Sequence, residues 1–173
     1  MGAFVIRLLV AFCLLAGYLL VGLKAEAFDV MTDKMIPLAP QFWVSPQITA
    51  EDLKTAKAKG VTLVINNRPD GEEPRQPKGA EIEAAAKALG LSYVAIPVGP
   101  MGVSAQHLDA FDAAMKANKG GVLAYCRSGT RSTVVRAMSE ARNGRPVDEI
   151  ISEAAEAGYN IAGQRGALES LGR

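Results

Sequence analysis

Histidine and cysteine are nearly absent from this chain, which has one histidine, His107, and two cysteines, Cys13 and Cys126. That excludes a histidine-based metal cluster, a Cys/His zinc site and a disulfide framework. No metal and no cofactor are expected. Charge of one sign is also lacking. The 19 Lys and Arg side chains face 18 Asp and Glu, for a formal net charge of +1. A nucleic-acid partner is not expected, because the basic excess that neutralises phosphates is missing. The sequence shows no internal repeat and no low-complexity tract. Its 173 residues suffice for one sizeable core.

Much of the apolar content sits at the N-terminus. After Arg7 comes an unbroken uncharged run from Leu8 to Leu23, then Lys24 and the small-x-small triplet Ala25-Glu26-Ala27. Residues 1–27 read as a secretory signal peptide cut before Phe28 or, if uncleaved, as an N-terminal membrane anchor. The expectation is cleavage. Either way Arg7, on the N-terminal side, places the domain outside the cytoplasm, periplasmic or membrane-anchored, with membrane contact only through this segment. Ile6 stands where myristoylation needs Ser or Thr. Cys13 goes with the run, so Cys126 is the one cysteine of the exported domain. A lone thiol there has no partner in its own chain, which makes reactivity a live explanation.

Residues 28–41 show no clear period and read as a linker or irregular arm; 42–173 read as the catalytic domain. Apolar, β-branched runs at 42–45, 61–67, 91–98 and 120–126 predict strands. Between them lie helical patterns with identifiable ends. Thr49 with Asp52 makes a capping box and Gly60 a stop; Gly90 ends a helix over 78–90; Ser104 caps one running to about Asn118. A helix that starts in the cysteine loop ends at Gly144, Pro146 opens another that Gly158 closes, and a short one follows. Strands alternating with helices of about 12 residues predict an α/β fold of three layers, a mainly parallel central sheet flanked by helices. In such sheets ligands bind where carboxyl ends of strands feed helix N-termini. Two loops stand there, NNRPDGEEP (66–74) and CRSGTRS (126–132).

The second loop carries the chemistry. A strand delivers Cys126, Gly129 permits a tight turn, and a helix begins near Thr130 with its free N–H groups facing the sulfur. Those groups and the helix dipole favour negative charge on the sulfur. Arg131 adds a planar fork that grips an oxyanion at two points. Ser132 is expected to donate a hydrogen bond to the sulfur. Cys126 and Arg131 are thus the expected catalytic residues, and Arg127, Ser128, Gly129, Thr130, Arg131 and Ser132 the expected anion cradle. Arg127 is expected to point out of the cradle, and Arg68 to reach the anion or tie its own loop down. Asn66 and Asn67 end a strand beside that loop. His107 is expected at the surface.

Cys-Arg-Ser-Gly-Thr-Arg-Ser resembles the active loop of rhodanese-type sulfurtransferases and also that of cysteine phosphatases. The phosphatase loop has five residues between cysteine and arginine, whereas four separate Cys126 from Arg131, as in the rhodaneses. WVSPQITAEDL, VINNRPDGEEP, AEIEAAAKALGLSYVAIPV and LAYCRSGTRS together resemble the phosphatase-like domain of beta-lactamase hydrolase-like proteins, over roughly residues 40–170. That resemblance implies the fold of dual-specificity phosphatases, and members of the family are labelled either sulfur transferase or phosphatase-like hydrolase.

Two chemistries follow. A phosphatase of this fold needs a general acid to protonate the leaving oxygen. The resemblance places it on PVGPMGVS (97–104), which holds no carboxylate; Asp109 and Asp112 lie further on, on the helix. Asp70, in a Pro-Asp-Gly turn, is the substitute candidate. Sulfur transfer needs no such acid. The expected function is therefore transfer of sulfane sulfur through a Cys126 persulfide, from a small sulfur-containing anion to a thiol acceptor. The alternative is hydrolysis of a phosphorylated substrate through a phosphocysteine, and a third reading is an anion-binding pseudoenzyme.

Overall fold

The computed structural model describes residues 34–173. The expected signal peptide or anchor, and residues 28–33 of the expected linker, lie outside the described residues. Among the described residues no helix is long and apolar enough to cross a membrane.

Among the described residues five short strands form one sheet: β1 (Ile36–Ala39), β2 (Phe42–Ser45), β3 (Val61–Asn66), β4 (Ser92–Ala95) and β5 (Gly121–Tyr125). Their spatial order is β1-β2-β5-β3-β4. All neighbours run parallel except β1, which pairs antiparallel with β2. The linker reading of 28–41 is corrected here. Residues 36–39 are an edge strand, with Met35 and Leu38 buried beside them. Pro37 hid the strand from pattern reading, since proline suits a sheet only at an edge.

Among the described residues six α-helices cover the two faces: α1 (Asp52–Ala58), α2 (Gly79–Ala88), α3 (Ala105–Ala117), α4 (Thr130–Arg142), α5 (Val147–Glu156) and α6 (Arg165–Leu171). On one face Leu53 and Ala56 of α1 and Ile82 and Ala86 of α2 pack on Val64, Leu123 and Tyr125. On the other, Phe111 of α3, Val135 and Ala141 of α4, Ile150 of α5 and Leu168 of α6 pack on Val44, Ile65 and Ala124. Each large side chain so buried contributes roughly 1.5–3 kcal/mol. The caps act locally. Asp52 Oδ2 accepts from Thr49 N–H at 2.6 Å, and Ser104 Oγ accepts from His107 N–H at 3.4 Å while His107 Nδ1 accepts from Ser104 N–H at 3.0 Å.

This topology creates the crevice. β5 lies between β2 and β3, buried along its whole length. The helices that follow β3 and β5 leave to opposite faces, α2 to one and α4 to the other. The carboxyl ends of these neighbouring strands are therefore the switch point where a ligand fits.

Candidate active site

Cys126 directly follows β5 and is fully buried. Its backbone N–H donates to Ser45 O at 3.3 Å, continuing the ladder with β2. The chain then turns so sharply that Gly129 N–H donates to Cys126 Sγ at 3.1 Å. The turn needs glycine twice over. Gly129 has φ +94°, and a Cβ there would lie 2.1 Å from Tyr159 Oη. Tyr159 backs the loop, its hydroxyl donating to Ser128 O at 3.4 Å. Burial, and then the charge of Cys126, raise the pKa of Tyr159, which keeps it a donor. Thr133 fastens the first turn of α4, its N–H and Oγ1 reaching Gly129 O at 3.0 and 3.1 Å. Ser128 Oγ donates to Thr130 Oγ1 at 3.2 Å.

Ser132 departs from expectation. Its Oγ is buried and has no hydrogen-bond partner among the described residues; the sulfur takes the Gly129 N–H instead. A buried hydroxyl left unpaired is costly, so it stands as an unspent donor in the first turn of α4.

Arg131 is held on three of its five N–H donors. Nη1 and Nη2 donate to the two carboxylate oxygens of Glu72 at 2.7 and 2.8 Å, and Nη1 also donates to Val98 O at 2.8 Å. That leaves Nε–H and one Nη2–H, a side-by-side pair, for the sulfur and for an incoming anion. Glu72 first, and the charge of Cys126 after it, raise the pKa of Arg131. The same hydrogen bonds from Arg131, joined by those from Arg68, hold Glu72 down to about 2.

The loop between β3 and α2 lies over this cradle. Arg68 spends all three nitrogens inside the protein: on Glu72 at 3.0 Å, on Gln47 Oε1 at 2.9 Å and on Glu73 at 3.0 Å. Of its two expected roles, it ties the loop down. Glu73 also pairs at 2.8 Å with Arg127, which is largely exposed and turned outward. Hydrogen bonding from Arg68, and then the charge of Arg127, lower the pKa of Glu73. Asp70, the substitute acid candidate, gives one oxygen to the start of another helix. Its Oδ1 accepts from Gly79 N–H at 2.8 Å, at the start of α2, where free N–H groups and the dipole attract a carboxylate. Asn66 supports the loop from below, its Oδ1 accepting from Arg68 N–H at 2.8 Å, and Asn67 Nδ2 donates to Ile96 O at 3.0 Å. Asp109 and Asp112 pair with Arg142. Sequence reasoning missed Glu72, Glu73 and Tyr159. The two glutamates were visible only as charge in a polar loop, and Tyr159 as a residue after a helix stop.

A cysteine at the carboxyl end of a central parallel strand, in a tight loop feeding a helix with an arginine beside it, defines a protein of the cysteine-phosphatase kind. The chain belongs to the family described as beta-lactamase hydrolase-like protein, phosphatase-like domain, whose profile matches residues 34–143. It is 35% identical over 112 residues to the beta-lactamase hydrolase-like protein of Xylella fastidiosa strain Temecula1, and 34% identical over 112 residues to that of Agrobacterium fabrum. The match takes in 65% of this chain and 26% of each relative, so the chain spans about a quarter of their length. Among solved structures, a Neisseria meningitidis protein named as a candidate phosphatase superposes with a TM-score of 0.72 at 32% identity, over 81% of this chain and 99% of that one. A mouse protein named as a candidate dual-specificity phosphatase, solved with zinc tungstate, superposes with a TM-score of 0.63 at 22% identity, over 86% of this chain and 92% of its own, a likeness of fold.

Proposed function

We propose that this domain is a cysteine-dependent phosphatase. In the first step the Cys126 sulfur attacks phosphorus and the P–O bond to the leaving group breaks, giving a phosphocysteine. Water then attacks the same phosphorus, the P–S bond breaks, and phosphate and the cysteine are released. The observation that carries this reading is the Gly129 N–H at 3.1 Å from Sγ, at the N-terminus of the helix that presents Arg131. The phosphatase-named relative at 32% identity supports it, and shifts the balance from sulfur transfer, the expectation drawn from the short loop and the missing acid, to phosphoryl transfer. Arg131 supports it too, since its Nε/Nη2 edge suits two oxygens of one phosphoryl group.

The test is release of inorganic phosphate from 4-nitrophenyl phosphate by the full chain and by Cys126→Ser. Turnover by the first and none by the second is the expected result. Sulfur transfer remains the second reading, favoured by the four residues that separate Cys126 from Arg131. Its signature is distinct: one added sulfur on the intact mass after thiosulfate, absent in Cys126→Ser and removed by a thiol. That adduct without phosphate release would replace the phosphatase reading. Binding of phosphate with neither signal would make the domain an anion-binding pseudoenzyme. The export reading of residues 1–27 belongs to the same proposal and rests on their sequence pattern; N-terminal sequencing of the mature protein, expected to begin at Phe28, checks it.

A further inference from the structure

The acidic side chains of the 66–74 loop are engaged with other groups. Glu72 gives both carboxylate oxygens to Arg131 and shares one with Arg68. Glu73 divides its oxygens between Arg68 and Arg127. Asp70 caps α2. A group that protonates a leaving oxygen must carry a proton at working pH and lie within reach of that oxygen. Glu72 is close enough to touch Arg131, but two guanidinium groups keep it ionised, at about 2. Its geometry serves a different purpose. By filling the terminal fork of Arg131, with Val98 O on the remaining Nη1 hydrogen, it fixes the plane of the guanidinium and leaves the Nε/Nη2 edge for substrate.

We propose that Glu72 is a positioning residue acting through Arg131, and that the site acts on phosphoryl groups whose leaving group departs as an anion: aryl phosphates, acyl phosphates and phosphoanhydrides. The inference rests on the phosphoryl-transfer reading above. The step balances without a proton donor. The sulfur's electron pair forms the S–P bond, the P–O bond breaks, and its electrons stay on the leaving oxygen. That oxygen is stable as an aryl oxide, carboxylate or phosphate, and is not stable as an alkoxide. The orientation of Arg131 matters equally for every such substrate, because it touches the phosphoryl oxygens and not the leaving group.

The experiment is a leaving-group series from 4-nitrophenyl phosphate through phenyl phosphate to an alkyl phosphate, run on the full-length wild type, Glu72→Gln and Cys126→Ser. In the wild type kcat/KM is expected to fall by at least about 10²-fold along the series, the usual contribution of a general acid that is not supplied. Glu72→Gln is expected to lower every member by the same factor, giving a parallel line, with a melting temperature that shows the chain folded. A flat wild-type series overturns the substrate class while leaving the Cys126 phosphatase intact. A Glu72→Gln loss concentrated on the poor leaving groups overturns the positioning role and makes Glu72 the acid. No Cys126-dependent turnover of any member sinks the phosphatase reading and the inference together. If Glu72→Gln does not fold, Glu72→Asp replaces it, a carboxylate one methylene short of Arg131. The same parallel loss is expected, with partial recovery of rate.

Discussion

Helix α4 has an arginine–carboxylate cluster at each end, and the two are built for different ends. At its N-terminus Arg131 is clamped by Glu72 yet keeps two adjacent donors beside a buried sulfur. Toward its C-terminus, Arg136 pairs with Glu140 and Glu153, Arg145 with the same two glutamates, and Arg142 with Asp109 and Asp112. Arg136 also lies 5.1 Å over the ring of Phe42. These charges fasten α3, α4 and α5 to one another, and three of them, Asp112, Arg136 and Glu140, line an open pocket of about 330 Å³ with Phe111 and Met115. The residue types are the same. What separates a site from a fastening is a nucleophile within reach and donors left over.

Four substitutions or conditions would break or sharpen that contrast. Arg131→Lys keeps the charge and loses the fork, so turnover should fall by about 10²–10³-fold, the cost of removing an anion-stabilising donor, with a melting-temperature loss no larger than that of Glu72→Gln. Steady-state kinetics beside thermal melting decides it. Equal loss in both would make Arg131 a structural residue. Arg136→Met should do the reverse. Removing one partner from a buried cluster costs about 3 kcal/mol, the low end for such pairs because Arg145 still faces both glutamates. Denaturant unfolding measures that loss, while turnover per folded molecule should stay near wild type.

Gly129→Ala attacks the cradle's backbone. The added Cβ meets Tyr159 and the positive φ disfavours it, so a destabilisation of about 1–3 kcal/mol is expected together with loss of turnover. Tyr159→Ala alone removes a buried ring and is destabilising, so the double substitution should cost less than the sum of the two single ones, because the contact is gone, without regaining activity, since the φ strain remains. The smallest effect is the pH dependence of the Glu72 clamp. Its folded pKa, about 2, lies below the ordinary 4.5, so the clamp's contribution to stability is fully present above pH 4.5 and is lost as pH falls toward 2. The melting-temperature difference between wild type and Glu72→Gln should therefore hold from neutral pH down to about 4.5 and close below it. A gap that widens on acidification would contradict the ionised clamp.

By itself the sequence determined what short-range physics controls. The strand that ends at Cys126, the turn at Gly129 and the helix start at Thr130 lie within a few residues, so the contact from Gly129 N–H to the sulfur spans only three positions. Caps at Thr49 and Ser104, helix stops at Gly60, Gly90, Gly144 and Gly158, and β-branched runs in β3 and β5 are local in the same way, and with them the layered α/β architecture was legible. Only the tertiary structure decided the rest. Glu72 meets Arg131 across 59 residues because β3 and β5 are neighbours in space though not in order. Tyr159 reaches Ser128 across 31 residues from beyond α5. Asp70 turns to Gly79 because a helix N-terminus offers it free N–H groups. The edge strand at 36–39 exists because β2 is there to pair with it. The first two depend on which elements pack side by side, which no pattern within a dozen residues carries; the last two are close in sequence but need a formed helix start or a formed partner strand before the contact exists.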